Sequence, residues 1–181
     1  HRARTCLLLI NFGVLETELG NYAQAESYYS ESLVIARELG HRERTSILLA
    51  NLGDLATKRG EYVEAERYYT ESLTIAREIG HGWLKTGILV EWADSCLGQQ
   101  RWDAAKAALD EALPMARKAN LQEFVGRALF GLAKIAQARG DIAGARRYGR
   151  ESIDLLEQIG HKSAAEAKEW LTGLPAPCAV Q

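Results

Sequence analysis

The chain has 181 residues, 47% of them hydrophobic and 25% charged, with a formal net charge of −2. That mixture suits one ordinary domain or a short array of four to five repeats, and its balance gives no reason to expect a nucleic-acid or membrane surface. Its densest apolar runs, Leu7–Ile10 and Ile47–Ala50, fall far short of the roughly 20 residues needed to span a bilayer.

The N-terminal HRARTCLLLI lacks a start methionine and a small-residue cleavage site, and its apolar run is in phase with later segments, so no signal peptide is expected. Leu8, Leu9, Phe12, Gly13 and Leu15 form a helical stripe that returns as Leu48, Leu49, Leu52, Gly53 and Leu55. Gly20–His41 reads GNYAQAESYYSESLVIARELGH, and Gly60–His81 reads GEYVEAERYYTESLTIAREIGH, a repeat without insertion or deletion. The frame continues more loosely through Gln100–Leu121 and Gly140–His161. A fixed period of this size signals stacked supersecondary units.

Each period holds two helices with a glycine at both turns. Gly20, Gly60 and Gly140 end the first helix, and Asn21 or Asp141 can cap the next. Tyr22, Ala25, Tyr29 and Leu33 share one face of the second helix, repeated as Tyr62, Ala65, Tyr69 and Leu73. Gly13, Gly53, Ala93 and Ala133 supply a matching small position on the first helix, as close helix approach requires. Gly40, Gly80 and Gly160 mark the second turn, and Asn120, which readily takes the left-handed conformation, marks it in the third repeat.

The spacing predicts helices over 3–19, 22–39, 42–59, 62–79, 82–99, 102–119, 122–139 and 142–159, and a ninth over 162–172 that caps the end. The expected repeats are 2–40, 41–80, 81–120 and 121–160, followed by a flexible tail over 173–181. Pro114 is expected to kink its helix. Gly149 stands where Tyr29 and Tyr69 stand, so the fourth repeat is expected to lose a core aromatic, which suits packing against a small, alanine-rich capping helix. Cys6, Cys96 and Cys178 form no paired framework, and the first two fall at helical positions, which favours a reducing, cytoplasmic setting.

The small residue on the first helix, Gly-(Asn/Asp/Glu)-Tyr at Gly20–Tyr22 and Gly60–Tyr62, and Ala then Tyr on the second helix together resemble the tetratricopeptide repeat over about residues 2–160. The period of 40 is similar to that of a longer-helix subfamily, seen in Pins-type polarity scaffolds and in sensor arrays of bacterial signal-transduction ATPases; phrases such as YYTESLTIAREIG look bacterial. Gln100, in place of Gly, and Gly149, in place of a large residue, depart from the pattern and weaken single repeats. The resemblance implies an all-α, right-handed superhelical solenoid of four helix pairs plus a capping helix, with the first helices lining a concave groove for an extended or helical peptide.

The groove positions implied by the resemblance begin with Asn11 and Asn51, continued by Glu91 and Gly131. A ladder of amides can donate to and accept from a ligand backbone together, although a tolerated polar face explains Asn as well. One turn on stand Val14, Asp54, Asp94 and Lys134, then Glu18 and Lys58, which either read ligand charge or form a solvated face. Gly87, where Leu7, Ile47 and Arg127 stand in other repeats, makes room inside a helix at a cost of about 1 kcal/mol relative to Ala. Trp83 is an aromatic at an otherwise polar position, either an anchor or inter-repeat packing.

His1, His41, His81 and His161 share one repeat phase, about 10 Å apart between neighbours by helix-pair spacing, too far for a shared metal. No phosphate loop or nucleophile pair is present, and ordinary helix charges explain the carboxylate pairs. The expected function is therefore a cofactor-free protein-interaction module, not an enzyme, that binds a protein or peptide in the groove. The alternative is a C-terminal sensor fragment of a larger signal-transduction ATPase or transcription regulator. Self-association through the uncapped N-terminal helix is also expected, through Cys6, Leu7 and their neighbours.

Overall fold

A computed structural model of the chain describes residues 1–175. Among them every regular element is helical: α1 (Arg2–Glu18), α2 (Tyr22–Glu38), α3 (Arg42–Lys58), α4 (Tyr62–Glu78), α5 (Gly82–Gly98), α6 (Trp102–Lys118), α7 (Gln122–Ala138), α8 (Ile142–Gln158) and α9 (Ser163–Thr172). The expected boundaries agree to within one or two residues throughout. The chain divides into two compact units, His1–Ser95 and Cys96–Gln181. In the first, α1 packs with α2, α2 with α3, and α3 with α4. In the second, α6 packs with α7, α7 with α8, and α8 with α9.

One turn geometry serves every inter-helix connection up to α9. After each helix a residue takes positive φ, and the next residue's N–H reaches back five residues. Examples are Asn21 to Glu16 O at 2.8 Å, His81 to Ala76 O at 3.1 Å and His161 to Leu156 O at 2.8 Å. This bond satisfies a carbonyl that the helix end would otherwise leave open. Glycine fills six of these positions, at φ from 65° to 80°. Gln100 and Asn120 adopt the same conformation, at 58° and 53°. The departure at Gln100 therefore costs local strain, of order 1–2 kcal/mol for an L-residue, and the turn survives.

The N-terminal caps divide. Asp141 accepts from Gly144 N at 2.8 Å, as its sequence position suggests. Asn21 does not cap α2: its amide turns back to Glu16, at 2.7 Å. His81 and His161 use imidazole instead, their Nδ1 atoms accepting from Leu84 N at 3.3 Å and from Ser163 N at 3.2 Å.

Within the first unit the small–aromatic match is direct contact. A Cβ at Gly53 would stand 3.0 Å from the Tyr69 ring, and one at Gly13 would overlap the Tyr29 ring. Two buried serine contacts reinforce these helix pairs. Ser46 Oγ donates to Ser72 O at 2.9 Å while Ser72 Oγ donates to Ser46 O at 2.7 Å. Cys6 and Ser32 repeat the contact, Ser32 Oγ donating to Cys6 O at 2.9 Å. In the second unit Ser152 Oγ reaches Gly126 O at 2.8 Å. A buried hydroxyl must find a partner, and here the partner lies across the pair, which fixes its register.

Burial pushes the Tyr69 hydroxyl's pKa far above its usual value, with nearby carboxylates adding to the shift; Tyr29 shifts the same way, chiefly by burial. A folded pKa above the unfolded one means that the stabilisation is complete below the unfolded value of 10.0 and is lost as pH rises beyond it. Urea midpoints are expected to fall with pH from about 10 upward, and Tyr69→Phe should flatten that slope. A slope unchanged in Tyr69→Phe would contradict the assignment.

In the second unit, Gly149 sits against the capping helix: a Cβ there would be 3.0 Å from Trp170. The fourth repeat lacks an aromatic at 149, as expected, and packs there against the capping helix, whose Trp170 enters the space that a tyrosine at 149 would use. Trp170 meets Phe130 edge-on at 5.5 Å and donates from Nε1 to Gln137 Oε1 at 2.9 Å. The helix α6 runs unbroken through Pro114, which faces solvent. Beyond α9, Leu174 is buried with Ala136 and Ala145, and Arg146 holds Leu174 O at 3.2 Å and Pro175 O at 2.7 Å. The first residues of the expected flexible tail are therefore packed, because an apolar side chain and a guanidinium tie them down; residues 176–181, with Cys178, lie outside the described residues.

Candidate functional site: the first-helix face

In the first unit α1, α3 and α5 present successive first-helix faces. Thr57 on α3 donates to Ser95 on α5 at 2.8 Å, so these two helices are neighbours. Asn11, Val14 and Glu18 of α1 are exposed. On α3, Asn51 and Asp54 are half-buried and Lys58 is exposed, its ammonium 2.8 Å from Asp54. On α5, Glu91 is half-buried and Asp94 exposed, whereas Gly87 is buried and offers no surface of its own.

The tyrosine hydroxyls lie beneath this face. Thr17, whose hydroxyl bonds Gly13 O at 2.8 Å, is 3.4 Å from the Tyr29 hydroxyl. Glu18, Asp54 and Glu91 all act on Tyr29, and Glu91, Asp54 and Asp94 on Tyr69. Carboxylates drawn from three helices thus act electrostatically on two hydroxyls whose pKa is raised chiefly by burial. The packing tyrosines and the polar residues above them form one layered arrangement, a relation the sequence spacing alone did not show.

Trp83 is exposed at the edge of this face, its ring edge-on to His81 at 6.3 Å. His81 Nε2 in turn lies 3.4 Å from Glu43. Trp83 therefore stands beside a polar turn, not within the inter-helix core.

In the second unit, taken by itself, the corresponding first helix is α7. Arg127 is half-buried, with Glu123 at 3.7 Å. Lys134 is held twice, by Glu166 of α9 at 2.9 Å and over the Phe130 ring at 4.1 Å. An acidic ligand group at Lys134 would have to displace Glu166. Gly131, in register with Asn11 and Asn51, is buried beneath Leu109, whose Cδ1 would lie 2.7 Å from an added Cβ. The polar ladder is thus confined to the first unit, because glycine at 131 lets a leucine close over the backbone. Among the described residues no group of three His, Cys, Asp or Glu side chains could hold a metal ion.

The helix pairs, the small–aromatic contacts and the recurring glycine turns have a counterpart in a known family: the model for the tetratricopeptide repeat matches residues 4–78 and 86–158. The chain belongs to the tetratricopeptide repeat family. Among solved structures it is similar to aspartyl phosphate phosphatase F from Bacillus subtilis, with TM-score 0.86 and 14% identity over 96% of this chain and 46% of that one. It is also similar to a Rap protein complexed with Competence and Sporulation Factor (TM-score 0.78, 16% identity, 93% of this chain and 47% of that one). A third is pilF of Pseudomonas aeruginosa, at TM-score 0.67 and 17% identity over 97% and 79% of the two chains. The chain spans about half the length of the first two, and at these identities the likeness is one of fold. A comparison with curated proteins finds no match.

Proposed function

We propose that this tetratricopeptide array is a protein-interaction module that takes a peptide or protein segment on the first-helix face, through Asn11, Val14, Glu18, Asn51, Asp54, Lys58, Trp83, Glu91 and Asp94, with Gly87 giving space beneath. Arg127 and Lys134 of α7, in the second unit, are proposed for a like role on that unit's own first-helix face. The observation that carries this reading is the layered face of the first unit, where exposed Asn11, half-buried Asn51 and carboxylates from three helices lie near two buried tyrosines. Amides held on packed helices can pair with a ligand backbone without ordering cost. Similarity to a Rap protein that is itself complexed with a factor supports the same reading.

The module acts by binding, without catalysis or cofactor. Cys6 and Cys96 are buried and in no disulfide among the described residues, which suits a reducing cytoplasmic compartment. No described helix is long and apolar enough to cross a membrane. Contact between copies through α1 belongs to the same reading, since its outer face is apolar and exposed. A second role, as a sensor segment of a larger signalling protein, is favoured by the partial coverage of the phosphatase and Rap chains. Nucleotide-binding motifs elsewhere in the full reading frame would support that role, and a frame without them would remove it.

A random-peptide display library selected on the chain supplies a probe ligand. The double variant Asn11→Ala/Asn51→Ala is expected to lose at least about tenfold in affinity for the enriched peptide, the loss of one or two well-placed hydrogen bonds. Its helicity and melting should stay unchanged. Undiminished binding would make the asparagines incidental.

A further inference from the structure

His41, His81 and His161 stand at the same point in the repeat, one residue past the turn, and they do not behave alike. His41 gives no side-chain bond to the start of α3. His81 Nδ1 accepts from Leu84 N at 3.3 Å, and in the second unit His161 Nδ1 accepts from Ser163 N at 3.2 Å. What separates them is the residue at one fixed position on the preceding first helix. Glu43 stands there for His81 and Glu123 for His161, with carboxylate oxygens 3.4 Å and 3.6 Å from the respective Nε2 atoms. Ala3 stands there for His41 and offers no acceptor.

A neutral imidazole carries one proton, so a ring nitrogen that accepts leaves that proton on the other. With Nδ1 taken by the Leu84 N–H, the Nε2–H of His81 is left to the Glu43 carboxylate, which favours that tautomer and holds the ring's orientation. Trp83 lies inside the span from His81 to Leu84 that this bond closes, and its indole is edge-on to the same ring at 6.3 Å. Of the other charges on the adjoining turns, Arg42 of α3 and Glu78 of α4 engage each other, while Arg77 of α4 and Lys85 of α5 are cations. Glu43 is therefore the group to which a charge on His81 is drawn. A proton taken up at Nδ1 removes the acceptor, so the first turn of α5 loses its cap while the ring is pulled toward Glu43.

We infer that Glu43 and His81 are positioning residues for Trp83: Glu43 holds the imidazole where it caps α5 and supports the indole, and protonation of His81 releases both. The inference rests on the reading of Trp83 as a partner contact and adds its regulation. The first-helix face binds its ligand less tightly as pH falls through the titration of His81. The expected loss is about fivefold, since the relay can pass on no more than a typical helix cap is worth.

Heteronuclear magnetic resonance of the histidine rings and indoles, recorded over pH on the free chain, tests the relay without a ligand. His81 is expected with its proton on Nε2, and the Trp83 indole signal should move with that ring's titration. Glu43 is exposed, so changes there leave the packing alone. Glu43→Ala should mix the two tautomers, and Glu43→Gln, which keeps an acceptor oxygen, should retain the single one. A tautomer unchanged in Glu43→Ala, or an indole signal indifferent to His81's titration, overturns the inference. With a display-selected peptide added, affinity should fall about fivefold over the same interval in the parent and stay level in His81→Asn, whose amide can cap α5 but takes up no proton. A fall of the same size in His81→Asn overturns the regulation. A peptide that binds Trp83→Ala as tightly as the parent removes Trp83 from the binding face proposed above, and with it the coupling to affinity, while the relay stands or falls on the ligand-free spectra.

Discussion

Replacing Tyr69 by alanine is expected to lower the stability of the first unit by about 3–5 kcal/mol, the cost of removing a large buried side chain and leaving its space unfilled. Tyr69 is 1% exposed, and its ring lies against the backbone of Gly53, where no side chain exists to move into the gap. Collapse is therefore restricted, and the cost should fall at the upper end of that range. Denaturant unfolding followed by helicity checks this, with hydrogen exchange on α3 and α4 showing where protection is lost. Tyr69→Phe keeps the ring and gives up only the hydroxyl's bond to Thr57, so its cost should be about 1 kcal/mol. If the alanine and phenylalanine variants cost the same, the ring against Gly53 is not what joins the helix pair.

Trp170→Ala should destabilise the second unit by roughly 3 kcal/mol, somewhat below the range for a fully buried tryptophan because the side chain is half-exposed. Three contacts go at once: the edge-on packing on Phe130, the bond to Gln137 and the cover over Gly149. Loss of α9 docking also frees Glu166 from Lys134, an exposed pair worth little in itself. Protection from exchange should fall first in α9 and the adjoining turns of α7 and α8. A variant that melts like the parent would show that α9 adds nothing to the fourth repeat.

The architecture was readable because packing and turn chemistry repeat together. Glycine at 20, 40, 60, 80, 140 and 160 and alanine or glycine opposite a tyrosine announce helix ends and close helix approach, and both depend on side-chain size and backbone freedom visible in sequence. That Gly149 makes room for the capping helix was legible, but that Trp170 fills the space was not, because a pairing twenty-one positions apart lies outside the repeat register. The buried Ser32–Cys6 and Ser72–Ser46 contacts did have a signal, serine at 32, 72 and 152 with a small residue twenty-six positions earlier, yet serine reads as solvated unless its partner helix is known. The burial of Gly131 illustrates the same limit: whether a register position is open depends on which side chain, here Leu109, closes over it. The first-helix face was legible as a set of positions, but the electrostatic action of Glu18, Asp54, Glu91 and Asp94 on the tyrosine hydroxyls depends on how α1, α3 and α5 stand together.

The proposal that the first-helix face receives the partner is tested most directly by mapping a display-selected peptide onto the isotope-labelled chain by nuclear magnetic resonance. The account predicts that amide and side-chain shifts move at Asn11, Glu18, Asn51, Asp54 and Glu91, and at the Trp83 indole, while the outer residues of α2 and α4 such as Val34 and Val63 stay still. Shifts centred on Val34, Tyr62 and Val63, with the asparagine amides unmoved, would contradict it.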